Sequence, residues 1–209
     1  MSSEIVYVAV IAYLIGSFPA GYVAGRIAGV DIRTVGSRNI GATNVIRVIG
    51  KRFGYPVFLV DFAKGFISVC AAVMIAKAAR SSITIFDLCA AIAAFFGVIG
   101  HSYPIWLRFK GGKGVATSLG ALFALNWIVA TAVCLVWLIV FQTTRYVSIA
   151  SLGAVVALPI AVATMFFLNQ LHTPILLYFA LALCTIVIWR HRSNISRLLN
   201  GTEPRFSRQ

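Results

Sequence analysis

"ITIFDLCAAIAAFFGVIGHSYPIWLRFKGGKG", residues 83–114, changes character partway along. From Ile83 to Gly100 it runs with one charge, Asp87, an apolar stretch close to the roughly 20 residues that a membrane-crossing helix needs. From Arg108 to Gly114, three glycines, two lysines and an arginine crowd into seven positions with no carboxylate among them. Flexible backbone with concentrated positive charge suits a bound phosphate. The apolar run leading into it places that phosphate at a membrane surface.

The rest of the chain agrees with a membrane protein. Of its 209 residues 60% are hydrophobic and 11% charged, against roughly 25% charged in a soluble domain. Mean hydropathy is +0.94. Apolar runs at 5–25, 53–76, 83–100, 115–126, 127–143, 147–168 and 172–189 predict an all-α polytopic protein of seven transmembrane helices, one domain over residues 1–209. The fourth run is short and is split from the fifth only by Asn126 and Trp127.

Loop charges orient the spans. Arg26, Arg33, Arg38, Arg47, Lys51 and Arg52 surround the first loop. Arg108, Lys110 and Lys113 occupy the third loop and Arg145 the fifth, and Arg190, Arg192, Arg197, Arg205 and Arg208 follow the last run. Only Lys77 and Arg80 fall on the opposite side. Cytoplasmic loops collect such cations, so the amino terminus is expected outside and the carboxyl terminus in the cytoplasm. The same bias explains the net charge of +13 without nucleic acid. Cys70, Cys89, Cys134 and Cys184 lie in apolar runs and read as packing residues. In the first run Gly21, Gly25 and Gly29 follow Gly16 and Ala20, a small-residue stripe for close helix packing.

Three polar islands share the cytoplasmic side. The first, "GSRNIGATNVIRVIGKR" (36–52), offers Ser37, Asn39, Thr43, Asn44 and Arg47, and Ala42 to Ile49 can turn helical with its opening N–H groups available to an anion. The second, "GHSYPIWLRFKGGKGVATS" (100–118), is not a Walker A loop: Leu107 and Gly114 stand where that motif needs Gly and Ser or Thr. Gly111, Gly112 and Gly114 can still turn N–H groups inward around Lys113, while Arg108 and Lys110 suit lipid headgroups. The third, "WRHRSNISRLLNGTEPR" (189–205), sets His191 and Asn194 three apart, on one face if the helix continues. Glu203 is expected to pair with a loop arginine. In the second run Asp61 and Lys64 share a face and are expected to form a structural salt bridge. His101, His172 and His191 lack metal-ligand spacing, so no metal is expected.

"GSRNIGATNVIR", "GHSYPIWLRFKGGKGVAT" and "RHRSNISRLLNGTEPR" resemble the three signature motifs of the bacterial acyl-phosphate:glycerol-3-phosphate acyltransferases, the PlsY family. Length and motif order match over nearly the whole chain. One departure is Arg38-Asn39-Ile40, where that family commonly has Gly-Asn-Pro. The resemblance implies transfer of a fatty acyl group from acyl phosphate to the 1-hydroxyl of glycerol 3-phosphate, giving lysophosphatidic acid and phosphate, with neither acyl-CoA nor acyl carrier protein as direct donor. It implies Ser37, Arg47, Lys113, His191 and Asn194 as active-site or glycerol-phosphate contacts. It also implies Gly111, Gly112 and Gly114 as the phosphate loop, and Glu203 as a structural support.

Asn39, Thr43, Asn44 and His101 join the expected substrate-binding set as polar groups of the same islands. Either His191 or His101, or a substrate phosphate oxygen, is available as the proton acceptor. No cofactor is expected. The expected partners are the two substrates, membrane lipid and a soluble enzyme that makes acyl phosphate, and the expected location is the bacterial inner membrane. Outer loops are short and poor in polar groups, so the site is one-sided, as an enzyme's is and a transporter's is not.

Overall fold

The computed structural model describes residues 3–206, so Arg208 of the cationic tail lies outside the described residues. Regular structure among these residues is entirely helical. Two compact units divide the chain, one ending at Leu125 and the other beginning at Asn126.

The first unit holds α1 (Ser3–Gly16), α2 (Ala20–Ile27), α3 (Ala42–Ile49), α4 (Lys51–Ala78), α5 (Ile83–Ser102), a 3-10 turn at Ile105–Leu107, and α6 (Val115–Leu125). Glycines let its long helices touch backbone to backbone. A Cβ at Gly16 would collide with the Gly97 main chain, and one at Gly100 with Tyr13 and Ser17, so α1 and α5 meet there without side chains between them. Gly65 and Gly120 do the same for α4 and α6, against Thr117 and Phe62. Close approach through small residues is how helices associate where water supplies no driving force.

Two expectations change here. The run 5–25 does not form one helix; it breaks at residues 17–19. Pro19 has no N–H to continue the ladder and disfavours helical geometry at Phe18. The glycine stripe is also shorter than expected. Gly21 packs on Ile40 and Gly25 on Val30, but Gly29 lies past the end of α2 with φ +75°, serving a turn rather than an interface.

The second unit holds α7 (Trp127–Thr144), α8 (Val147–Phe167), α9 (Ile175–Arg190) and α10 (Arg192–Leu199). Asn126 caps α7: its side-chain oxygen accepts from the N–H of Ile128 at 3.1 Å and of Val129 at 3.0 Å. Between α9 and α10 the chain bends by 56°, at His191. The last helix therefore does not run straight on, as the shared face of His191 and Asn194 required.

Five stretches are long and apolar enough to cross a membrane: Ser3–Ile27, Lys51–Ala78, Ile83–Leu107, Trp127–Thr144 and Val147–Phe167. The bent pair Ile175–Arg190 and Arg192–Leu199 makes a sixth if taken as one span. Val115–Leu125 has 11 residues. At about 1.5 Å per residue it covers roughly half of a 30 Å hydrocarbon layer.

Candidate functional site

In the first unit the first two islands rest on one apolar core. Ile32, Ile40 and Val45 from the first island's side share it with Leu107 from the turn after α5, together with Ala20 and Val57. Asn44 organises the loop above this core. Its Oδ1 accepts the Ser37 N–H at 2.8 Å, and its Nδ2 donates to the carbonyls of Asn39 at 2.9 Å, Ile32 at 3.2 Å and Val35 at 3.2 Å. At 2% exposure, with donors and acceptor all engaged by the loop, Asn44 holds the shape of this part of the site. Asn39 closes the next turn by accepting the Gly41 N–H at 2.8 Å. α3 opens immediately after it, over the residues expected, with Thr43 half-buried in its first turn and Arg47 exposed near its end.

Ser37 is exposed, its backbone held by Asn44. Arg38 adopts φ +58°, a left-handed conformation that favours glycine, at the position where the resembled family has Gly. The turn thus keeps a glycine-like shape while carrying an arginine. Upstream, Arg33 grips Asp31 through two hydrogen bonds of 2.9 and 2.7 Å. That guanidinium, with the Arg33 backbone N–H, lowers the Asp31 carboxyl to about 2. One of the first-loop cations is thereby neutralised locally.

The glycine loop is built differently from a simple cradle. The N–H groups of Gly111 and Gly112 do not turn inward; they donate to the carbonyls of Ser102 at 3.2 Å and His101 at 3.0 Å, which close the end of α5. Donors for an anion are instead those that open α6, which lack intrahelical acceptors by geometry. Gly114, at φ +84°, makes the turn into that helix. Lys113 stands half-buried just before it, while Arg108 and Lys110 are exposed.

Beneath the loop lies a polar cluster that spacing alone only half revealed. Asp61 and Lys64 do pair, with Nζ 2.8 Å from Oδ1, and both are buried. Lys64 Nζ also donates to the Phe18 carbonyl at 2.8 Å, and it lies 3.1 Å from His101 Nδ1. His101 Nδ1 is 3.4 Å from Asp61 Oδ1. His101 is 4% exposed and its Nδ1 faces this ion pair, while its Nε2 lies toward Gly112. Pro19 was the legible signal: the helix break it causes leaves the Phe18 carbonyl available.

The second unit carries the third island. His191 is buried, and its Nδ1 lies 2.8 Å from the Val187 carbonyl. A carbonyl only accepts, so Nδ1 carries the hydrogen and neutral His191 has its lone pair on Nε2. Asn194 Nδ2 donates to Glu203 Oε1 at 2.6 Å, and Arg197 Nε donates to Glu203 Oε2 at 2.7 Å. Burial alone would raise the Glu203 carboxyl; hydrogen bonds from Asn194 and Arg197, the nearby Ser148 hydroxyl and the Arg197 charge hold it below the usual range. Ser148 was not singled out by sequence, because a serine in the first turn of an apolar helix looks like many others. Among the described residues no group of three or more His, Cys, Asp or Glu is placed to hold a metal ion.

The glycerol-3-phosphate acyltransferase family model matches residues 6–201. The chain is 46% identical over 194 residues to the glycerol-3-phosphate acyltransferase of Prochlorococcus marinus (strain NATL2A), covering 92% of this chain and 93% of that one. It is 43% identical over 201 residues to the corresponding protein of Aquifex aeolicus (strain VF5), covering 96% and 98%. Two crystal structures of PlsY, an integral membrane glycerol 3-phosphate acyltransferase, are similar in fold. The glycerol 3-phosphate form has a TM-score of 0.84 at 40% identity, and the lysophosphatidic acid form 0.82 at 39%. Each covers 98% of this chain and 96% of its own.

Proposed function

This chain belongs to the glycerol-3-phosphate acyltransferase family, and from that premise we propose that it moves a fatty acyl group from an acyl phosphate to the 1-hydroxyl of glycerol 3-phosphate. It is an integral membrane acyltransferase of phospholipid biosynthesis. The observation that supports the acceptor and product is the likeness, over almost the whole chain, to a solved structure in forms with glycerol 3-phosphate and with lysophosphatidic acid. Those are an acceptor and a product of this reaction; the acyl-phosphate donor rests on the resemblance of the three motifs.

Acyl phosphate is already activated, so the protein's work is to bring two anions together and to steady the charge that develops. Lys113 and the N–H groups opening α6 take a phosphate, and Arg47 offsets the repulsion between the two phosphates. Ser37 contacts glycerol 3-phosphate from its Asn44-anchored turn. The glycerol 1-oxygen bonds to the acyl carbon, and the bond from that carbon to the phosphate oxygen breaks. The hydroxyl proton passes to His191 Nε2 or to a substrate phosphate oxygen, and the Asn194 amide faces the acyl oxygen. Attack is direct, without an acyl-enzyme.

The same proposal treats residues 1–209 as one acyltransferase domain of seven spans in the bacterial inner membrane. Its amino terminus is outside and its catalytic islands face the cytoplasm, where a soluble enzyme supplies acyl phosphate. Purified protein in detergent, given acyl phosphate and glycerol 3-phosphate without nucleotide, should form lysophosphatidic acid and release phosphate. Equal turnover with acyl-CoA, or none with acyl phosphate, would overturn the donor assignment. A cysteine at position 110 that reacts only from outside intact cells would reverse the orientation.

A further inference from the structure

We propose that His101 is a positioning residue through which the buried Asp61–Lys64 ion pair sets the glycine loop. The inference rests on reading that loop as the phosphate site and goes further, by naming what holds it in shape. An ammonium has three hydrogens and no acceptor. Lys64 donates to the Phe18 carbonyl at 2.8 Å and lies 3.1 Å from His101 Nδ1, with Asp61 Oδ1 2.8 Å from Nζ as its ion-pair partner. Since an ammonium cannot accept, Nδ1 takes a Lys64 hydrogen, and this contact, with Asp61 Oδ1 3.4 Å away, orients the imidazole.

The opposite edge of that ring faces the loop. A Cβ placed on Gly112 would fall on His101 Nε2, Cε1 and Cδ2, and one on Gly111 would strike the His101 carbonyl and Pro104. The His101 carbonyl also receives the Gly112 N–H at 3.0 Å. Ring and main chain of one residue thus form the floor on which Gly111 and Gly112 lie, immediately before Lys113. A rotated imidazole would push into Gly112, so the ion pair's hold on Nδ1 is transmitted to the loop by contact. A buried ion pair is replaceable by apolar side chains at little or no loss of stability. A pair kept at membrane depth points to work beyond stability.

The test uses two variants of the full chain in detergent, each purified and checked for monodispersity. His101→Asn keeps an acceptor near the Nδ1 position for Lys64 but withdraws the ring from Gly112. The double variant Asp61→Leu with Lys64→Met removes both charges together, leaving neither uncompensated. Both should raise KM for glycerol 3-phosphate roughly tenfold, the effect of one misplaced contact, and change KM for acyl phosphate less than about twofold. Amide hydrogen exchange at Gly111 and Gly112 should accelerate in both. Wild-type KM values and unchanged exchange in His101→Asn would overturn the proposal, as would a purely stabilising role, seen as wild-type kinetics in the double variant. Equal loss for both substrates would also count against it. Exchange is read without turnover, so a wild-type protein that forms no lysophosphatidic acid would refute the proposed reaction while the positioning role is still decided.

Discussion

Replacing Asn44 with alanine removes the amide that ties the Ser37 turn to α3. The amide makes four contacts, of which the three from Nδ2 share two hydrogens, so roughly three hydrogen bonds are lost. At about 1 kcal/mol each, and with Ser37 N–H and buried carbonyls left short of partners, the ordered loop loses about 3 kcal/mol. That is roughly a hundred-fold shift in its equilibrium with open forms. Lysophosphatidic acid formation should fall by a factor of about ten to a hundred in kcat/KM for glycerol 3-phosphate, while the protein extracts normally because the helix contacts of the first unit are untouched. Asn44→Asp keeps the acceptor for Ser37 but sets a carboxylate against three carbonyls, and should be no better than alanine. The decisive measurement is hydrogen exchange at the Ser37 amide. Faster exchange accompanies the kinetic loss if Asn44 holds the loop; loss of activity with unchanged exchange would mean direct substrate contact and overturn the anchoring role.

Lys113→Ala should reduce turnover roughly ten- to a hundred-fold, one charge-assisted contact, whereas Lys110→Ala at an exposed position should cost much less; equal kinetics for the two variants in a glycerol 3-phosphate titration would remove Lys113 from the site. Arg38→Gly relieves a left-handed residue and should raise the thermal midpoint by an amount corresponding to about 0.5–1 kcal/mol, with Arg38→Val lowering it. Gly16→Leu forces α1 from the Gly97 backbone and should cut the yield of monodisperse protein, read by size-exclusion chromatography. Glu203 is held below its ordinary value of 4.5, so its clamp on α10 is complete above that pH and is lost as pH falls through the lower folded value. Exchange at the Thr202 and Glu203 amides should be protected alike from pH 8 to 5, and opening within that window would contradict the assignment.

Much of this was readable from residues. Helix α3 spans Ala42–Ile49 as expected, the cap at Asn126 marks the boundary drawn there, and the three-residue spacing of Asp61 and Lys64 gave their pairing. Each of these depends on neighbours in the chain. What escaped depends on contacts between distant segments. Lys64 and His101 are 37 positions apart, and nothing in either segment announces the other. An amide in a cationic loop can meet a ligand or hold the loop, and the partners that Ile32, Val35, Ser37 and Asn39 offer Asn44 are not legible from spacing. The N–H groups of Gly111 and Gly112 were misassigned for the same reason. Composition shows that a loop can bend, not toward which carbonyls.

The bond between Lys64 and the Phe18 carbonyl has a consequence for biogenesis. The chain is made from its amino terminus, so when α4 enters the bilayer Phe18 and Asp61 already exist and His101 does not. The ammonium is inserted with two of its three partners synthesised before it, one on its own helix and one exposed by the break at Pro19. The third arrives only with the far end of α5. Restoring a continuous first helix, as with Pro19→Ala, would hand the Phe18 carbonyl to the helix ladder and leave the nascent α4 with Asp61 alone, burdening the ribosome-bound chain before any effect on the finished enzyme is felt.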